Sequence, residues 1–423
     1  MTMMSDLSKG LVEEILSRVP ITSLRAVRST CKQWNCLTKD PSFTKKQCDK
    51  ATKGLLVIML NDSKVCLMSV NLHGIQNHKD VVDPSIKRIC ELNQVKVSNV
   101  IYCDGLLLCH TKDEDTTRLV VWDPYMGQTS WIKPRIPYHR SDMFGIGYDK
   151  NNNYKILRVF FEFVNNVGYE IYDFKSNSWR VLTISSNIVF YKRGVSLKGN
   201  TYFFAQERIK VEEVDKECVL LCFDFTRERF GPALHLPFHC DVRYDDMVLS
   251  SVREEHLAVL FQRLDTDKME IWITTKIEPN AVSWNKFLAV NTKTITGFEF
   301  EVEPRSFFVD EEKKMAVICD IHRFKPTKTG LYKTACIIGE DGYLKEVDLG
   351  EAVNVEESPY SCPLVCSYYV PRLGQNQPSS GTLGQKEKRR LLISVYDNTL
   401  YVSWISLFLF FSVLFFSFVK IVL

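Results

Sequence analysis

Leu119-Val120-Val121-Trp122-Asp123-Pro124, closing on Trp131-Ile132, is a phrase that this chain repeats. An apolar run rich in β-branched and aromatic residues, stopped by Asp-Pro, predicts a strand entering a tight turn. The phrase returns as Tyr169-Glu170-Ile171-Tyr172-Asp173-Phe174 before Trp179-Arg180-Val181-Leu182. It returns again as Val219-Leu220-Leu221-Cys222-Phe223-Asp224-Phe225 before Phe230-Gly231-Pro232, so that Asp123, Asp173 and Asp224 stand 50 and 51 positions apart. A looser fourth copy is Met269-Glu270-Ile271-Trp272-Ile273, whose second aromatic, Trp284, lies beyond a longer loop. Between the copies runs a second hairpin pattern, at 148–156, 196–203, 251–259 and 308–317.

A period near 50 with two hairpins per unit predicts four-stranded blades of a kelch-like propeller. One blade has an apolar face that it cannot cover alone; blades ranked around an axis cover one another and leave only short edges. Outward from the repeat, strand-and-turn texture begins at Leu55-Leu56-Val57-Ile58-Met59-Leu60, turns at Asn61-Asp62 and continues to about Val370. No amphipathic helix of usual length interrupts it. At roughly 50 residues each, 54–370 holds about six blades. A pair of open β-sandwiches would also be all-β but would not by itself generate this period. The repeated aspartates are expected as turn formers, and the aromatic after each as a wedge between blades.

Upstream the periodicity is helical. Leu7, Leu11 and Ile15 recur every fourth residue, with Leu16 and Val19 broadening the same face, and Pro20 ends the run. Ser23 is the expected N-cap of a second helix, with Leu24, Val27, Cys31, Trp34 and Leu37 on its apolar face. Two short helices with such faces need cover from a partner.

The 423 residues carry a net charge of +3, too small to argue for a nucleic-acid surface. The 14 cysteines are scattered without a C-x-x-C pair, and the first ten residues lack the apolar core of a secretion leader. Together these features predict reduced, mostly buried thiols and a cytoplasmic or nuclear protein. None of the phosphate-loop, dinucleotide, zinc-protease or nucleophile-elbow motifs occurs. His235, His239 and Cys240 form the nearest approach to a metal cluster and read as a loop; Cys362 and Cys366 read as part of a buried strand. No catalytic, cofactor or metal residue is therefore expected.

Residues 371–399 read as a linker, rich in Gly, Gln, Ser and Pro up to Arg390 and basic at Lys386, Lys388, Arg389 and Arg390. From Leu400 to Val419 run 20 uncharged residues including Trp404, the length of a bilayer core. This candidate transmembrane helix, 400–419, would tail-anchor the chain with its remainder in the cytoplasm. Translated non-coding sequence also gives Phe-rich runs of this kind, and both readings stand.

Glu14-Ile15-Leu16-Ser17-Arg18-Val19-Pro20, Ser23-Leu24, Cys31-Lys32-Gln33-Trp34 and Asp40-Pro41-Ser42-Phe43 resemble an F-box, placed at 1–48. Gly105-Leu106-Leu107-Leu108-Cys109, Trp122-Asp123-Pro124, Tyr172-Asp173-Phe174 with Ser178-Trp179, and Ile271-Trp272-Ile273 resemble the plant F-box-associated domain, a kelch-like propeller, placed at 54–370. The resemblance implies the non-catalytic substrate-recognition subunit of a cullin-RING, SCF-type ubiquitin ligase. Its helices would dock on a Skp-type adaptor and, through it, a cullin scaffold, while the propeller holds an unidentified protein target. Docking of this kind places a few apolar anchors in a groove, here Leu7, Leu11, Ile15, Leu16, Pro20, Leu24, Val27 and Trp34. Contact between the F-box helices themselves is the other reading of each. On the docking reading Leu24→Asp abolishes capture by the adaptor. The family's opening Leu-Pro is Leu7-Ser8 here, which is expected to weaken docking. The alternative function is a propeller interaction module with a degenerate F-box, membrane-tethered or free, outside any ligase.

Overall fold

Residues on a strand alternate between its two faces, so a strand sandwiched between neighbouring sheets must be apolar on both. The chain's central strands obey this. In a computed structural model, residues 8–370 are described except for 20, 41, 44–45, 48–54, 62, 72–84, 94, 112–117, 140, 164–165, 185–187, 208–216, 242–244, 264–265, 267, 292–305, 323–331, 341–342 and 352–364. The linker and the candidate transmembrane stretch 400–419 thus lie outside the described residues, as do Leu7 and Pro20. Among the described residues no helix is long and apolar enough to cross a membrane.

A head of three helices comes first: α1 (Lys9–Leu16), α2 (Ile21–Thr30) and α3 (Lys32–Leu37). Then come β1 (Leu55–Asn61), β2 (Lys64–Asn71) and β3 (Ser85–Glu91) of the first blade. The second blade is β4 (Val97–Cys103), β5 (Leu106–Thr111), β6 (Leu119–Asp123) and β7 (Gln128–Ile132). The third is β8 (Met143–Tyr148), β9 (Tyr154–Phe163), β10 (Asn166–Asp173) and β11 (Ser178–Leu182). The fourth is β12 (Ile188–Leu197), β13 (Asn200–Glu207), β14 (Val219–Asp224) and β15 (Arg229–Phe230), with β16 (Leu234–His235) also pairing β14. β17 (Asp245–Val252), β18 (His256–Arg263), β19 (Lys268–Glu278) and β20 (Ala281–Asn291) make the fifth. β21 (Ser306–Asp310), β22 (Met315–His322), β23 (Tyr332–Gly339) and β24 (Leu344–Glu351) make the sixth, and β25 (Val365–Tyr368) returns to the first. The result is a six-bladed β-propeller.

Every repeated phrase of the sequence becomes the third strand of a blade, and every interposed hairpin the first pair. The first blade differs in its origin. Its order is β25-β1-β2-β3, so its innermost strand comes from the far end of the ring, pairing Leu60 with Val365 and Val57 with Tyr368. The expected strand around Cys366 is thus the closing clasp of the ring.

Each of the six seams between blades has its own core. Alternate residues of β1 show the logic: Leu56, Ile58 and Leu60 join the second blade, whereas Val57 and Met59 join the sixth. The seam between blades three and four is aromatic, with Tyr169, Phe190, Phe203, Phe223 and Phe225 all buried. The aromatics after the repeat turns bridge blades: Trp179 donates to the Lys133 carbonyl (2.7 Å), Trp284 to the His235 carbonyl (3.1 Å), and the Phe230 ring lies 5.8 Å from that of Tyr169.

The aspartates cap the repeat turns. Asp123 accepts from the Met126 amide (2.8 Å), Asp173 from Lys175 (2.7 Å), and Asp224 from Thr226 (2.8 Å) and Arg227 (3.0 Å). Each turn ends in a left-handed residue, respectively Gly127, Asn177 and Glu228. The fourth copy has no such aspartate, and there β19 and β20 run on to Pro279-Asn280, with two register shifts on the way. First-to-second and third-to-fourth turns share one face of the ring; the remaining loops of blades two to six share the other.

One buried polar cluster interrupts the apolar seams. Arg158 on β9 is 1% exposed, yet it is satisfied by Asp142 (2.6 Å), Glu170 (3.1 Å) and the Pro137 carbonyl (2.9 Å). Arg135 adds a second cation on Glu170.

Candidate functional site

The head begins with the residue that departs from the resemblance. Ser8 sits extended at φ −61° and caps α1, its hydroxyl accepting from the Leu11 amide at 3.4 Å and its carbonyl from Leu11 and Val12 at 3.0 Å. That φ is one proline also adopts, so serine gives the helix the same entry direction and adds a side-chain cap. The expected weakening from Ser8 therefore has little backbone basis. α3 starts similarly, with the Cys31 thiol accepting from the Trp34 amide at 3.4 Å.

The six candidate anchors among the described residues separate by burial. Leu16 and Leu24 are completely enclosed, as is Phe43, with Val12 and Leu37 buried beside them. Val27 and Trp34 are half-buried against that same core, and Ile15 is half-buried. Leu11 stands out at 47% exposure on the outer side of α1. In this arrangement Leu16 and Leu24 serve the packing of the head. Leu24→Asp would place an unpaired carboxylate in its core, so a loss of capture would report unfolding as readily as docking. Leu11 is the anchor that a substitution can probe without touching that core.

Charge fastens the chain after the helices back onto α1. Lys46 bridges Glu13 (3.1 Å) and Glu14 (3.4 Å), which hold its ammonium above its ordinary pKa, and Gln47 donates to the Val19 carbonyl at 2.8 Å. Asp40 accepts from the Ser42 hydroxyl and amide, which lowers its pKa.

The head is joined to the ring through residues outside the candidate set. Arg28 on α2 donates to the Tyr125 carbonyl at 2.8 Å, and its guanidinium lies 4.7 Å from the Tyr125 ring centroid. It also reaches Thr38 at 3.3 Å, while the Tyr125 hydroxyl donates to the Thr38 carbonyl at 3.3 Å. Burial pulls the Arg28 pKa down. Head residues Leu16, Leu24 and Phe43 share one core with Trp122, Tyr125 and Tyr369, placing the head on the turn face beside blades one and two. A sequence signal for this contact exists. Two positions after the repeat aspartate stand Lys175 and Thr226, both exposed; the second blade has buried Tyr125 instead.

Where a loop is expected around His235 and His239, His235 lies on β16; the carbonyls of the two residues take hydrogen bonds from Trp284 and Arg263, and Cys240 lies in a seam core. The eleven described cysteines are all free, and burial lifts Cys90 to about 12.

A short helical head joined to a six-bladed ring is the architecture that comparison with known proteins assigns to a family. Residues 4–46 match the F-box domain model, and residues 56–375 match that of the F-box associated beta propeller domain. An F-box/kelch-repeat protein of Arabidopsis thaliana is 51% identical over 391 residues, covering 89% of this chain and 97% of its own length. An F-box protein of the same plant is 48% identical over 397 residues, covering 89% and 100%. Among solved structures, TolB from Acinetobacter baumannii aligns at a TM-score of 0.42 and 11% identity, covering 78% of this chain and 72% of that one. The chain belongs to the F-box proteins that carry an F-box-associated β-propeller.

Proposed function

We propose that this protein is the substrate-recognition subunit of an SCF-type cullin-RING ubiquitin ligase, its head docking on a Skp-type adaptor bound to the cullin and its propeller holding a target protein. F-box proteins are in general non-catalytic adaptor subunits, and this chain acts by placement. The observation that carries the reading is an exposed apolar anchor, Leu11, on a head fixed to a rigid ring by Arg28, Thr38 and Tyr125. Helix-in-groove docking takes its energy from such anchors, and fixing the head sets how far a bound target lies from the ubiquitin donor. The cytoplasm and nucleus, where that machinery works, are the proposed compartments.

Purified adaptor is the test. The full chain is expected to co-purify with it, and Leu11→Asp to lose capture while keeping its thermal melt. An intact chain that the adaptor never retains would overturn the proposal and leave the propeller interaction module with a degenerate F-box.

A further inference from the structure

The turn face carries a second feature, away from the head. A cavity of about 450 Å³ opens where turns of blades three, four and five meet, between Lys150, Lys198, Arg227 and Pro279. Its walls are fixed by close backbone approaches. A side chain on Gly147 would lie 2.3 Å from the Gly199 carbonyl oxygen, and one on Gly231 would lie 2.5 Å from that of Pro279. The Tyr148 amide donates to the Gly199 carbonyl at 3.1 Å and the Lys150 amide to Thr226 at 3.0 Å, tying blade three to blade four.

The cavity's two carboxylates are already engaged. Asp149 accepts from the Asn151 (2.9 Å) and Asn153 (3.1 Å) amides and pairs with Lys155 at 3.2 Å, interactions that hold its pKa low. Asp224 caps its own turn, with Arg227 Nε 3.8 Å away. Lys150 and Lys198 have no ion-pair partner among the described residues, and Lys198 is held with φ at +49° by its hairpin. Lys150 and Lys198, with Arg227 beside Asp224, thus line a preformed concavity whose own anions are engaged.

We propose that this cavity binds an oxyanion-bearing side chain of a partner polypeptide, a carboxylate or a phosphorylated residue. The inference rests on the ring holding a partner protein, and it is independent of adaptor docking. Three neighbouring donors match an oxyanion, and the fixed walls mean that little ordering is required on binding.

The test uses the full chain and three fluorescent peptides of equal length: hexaglutamate, a phosphoserine peptide, and hexaglutamine. Hexaglutamate or the phosphopeptide is expected to bind, hexaglutamine not; which acidic peptide binds identifies the source of the oxyanion. Lys150→Glu combined with Lys198→Gly, the latter suited to the left-handed backbone, should weaken binding by up to about fivefold per cation removed. Arg227→Gln alone gives a smaller loss in the same direction and provides a second reading should the double variant melt early. Three results would each overturn the proposal: no acidic peptide bound at millimolar concentration, equal binding to wild type and variants, or equal capture of a short oligonucleotide that is lost in the same variants. Adaptor capture, read in parallel, stays unchanged in these variants, so failure here is distinct from failure of the ligase assignment.

Discussion

The head and the third blade handle burial in contrasting ways. In the head, Leu16, Leu24 and Phe43 are the largest side chains wholly enclosed, and half-buried Val27 and Trp34 complete the cover. At the third blade, one seam holds five buried aromatic rings, and the other contains an arginine enclosed with two carboxylates. The head has a thin core and borrows Tyr125 and Tyr369 from the ring; the blade is covered on both faces by its neighbours. Both units leave apolar residues outside, Leu11 on the head and Phe161 and Val181 on the blade; the blade differs in packing each sheet face against a neighbour, and that close packing supplies rigidity.

The strongest way to break the blade's packing is Arg158→Ala, which strands Asp142 in the seam and leaves Glu170 with Arg135 alone. Urea unfolding should show a loss of about 4 kcal/mol; a loss below about 1 kcal/mol would mean that water already compensates those carboxylates.

On the thin side, Leu16→Ala should cost about 3 kcal/mol. The loss should be local, read as faster amide exchange in α1 and α2 with the strands of blade four still protected. Equal loss of protection throughout would show that head and ring unfold as one.

The clasp gives a pH readout. The Tyr102 hydroxyl donates to Glu254, which stands on the first turn of blade five, and accepts from the Val370 amide at 3.0 Å beside the end of β25. Burial, reinforced by Asp104, raises Glu254 from 4.5 to about 7. A folded pKa above the unfolded one means stability fully present below pH 4.5 and lost as pH rises through 7. Glu254→Gln should flatten that fall and gain about 2 kcal/mol near pH 8, after allowing for partial exposure. His110, lowered by burial from 6.5 to about 4, acts oppositely over an overlapping pH range, so the difference between wild type and variant is the quantity to follow.

Ser8→Pro is the smallest expected effect. The lost cap costs up to about 1 kcal/mol, and the stiffer unfolded chain returns a similar amount. Adaptor affinity should move by less than about threefold, whereas a tenfold gain would show that proline acts through direct contact.

Much of the ring was legible because a covered blade must repeat its pattern. Asp123, Asp173 and Asp224 mark three turns in the sequence itself, and Trp272 marks the fourth copy, which is blade five, although that copy lacks the aspartate. The clasp was legible only as a strand, since nothing local in residues 365–368 names a partner near residue 60. In the head, periodicity placed Leu11, Leu16 and Leu24 on apolar faces but could not separate them. The spacing of a helix records that a face is covered, not by whom. Tyr125 was hidden for another reason: its meaning lies in departing from the repeat, and a repeat is read for its agreements.

The late return of β25 also has a consequence in time. During synthesis the head and blades two to six can leave the ribosome in order, but the first blade lacks its inner strand until Val365 follows Leu60 by about 300 residues. At roughly 5–20 residues per second that interval is about 15–60 s. For that time the nascent chain carries an unclosed edge at β1, so the ring is most open to misassociation just before it is finished.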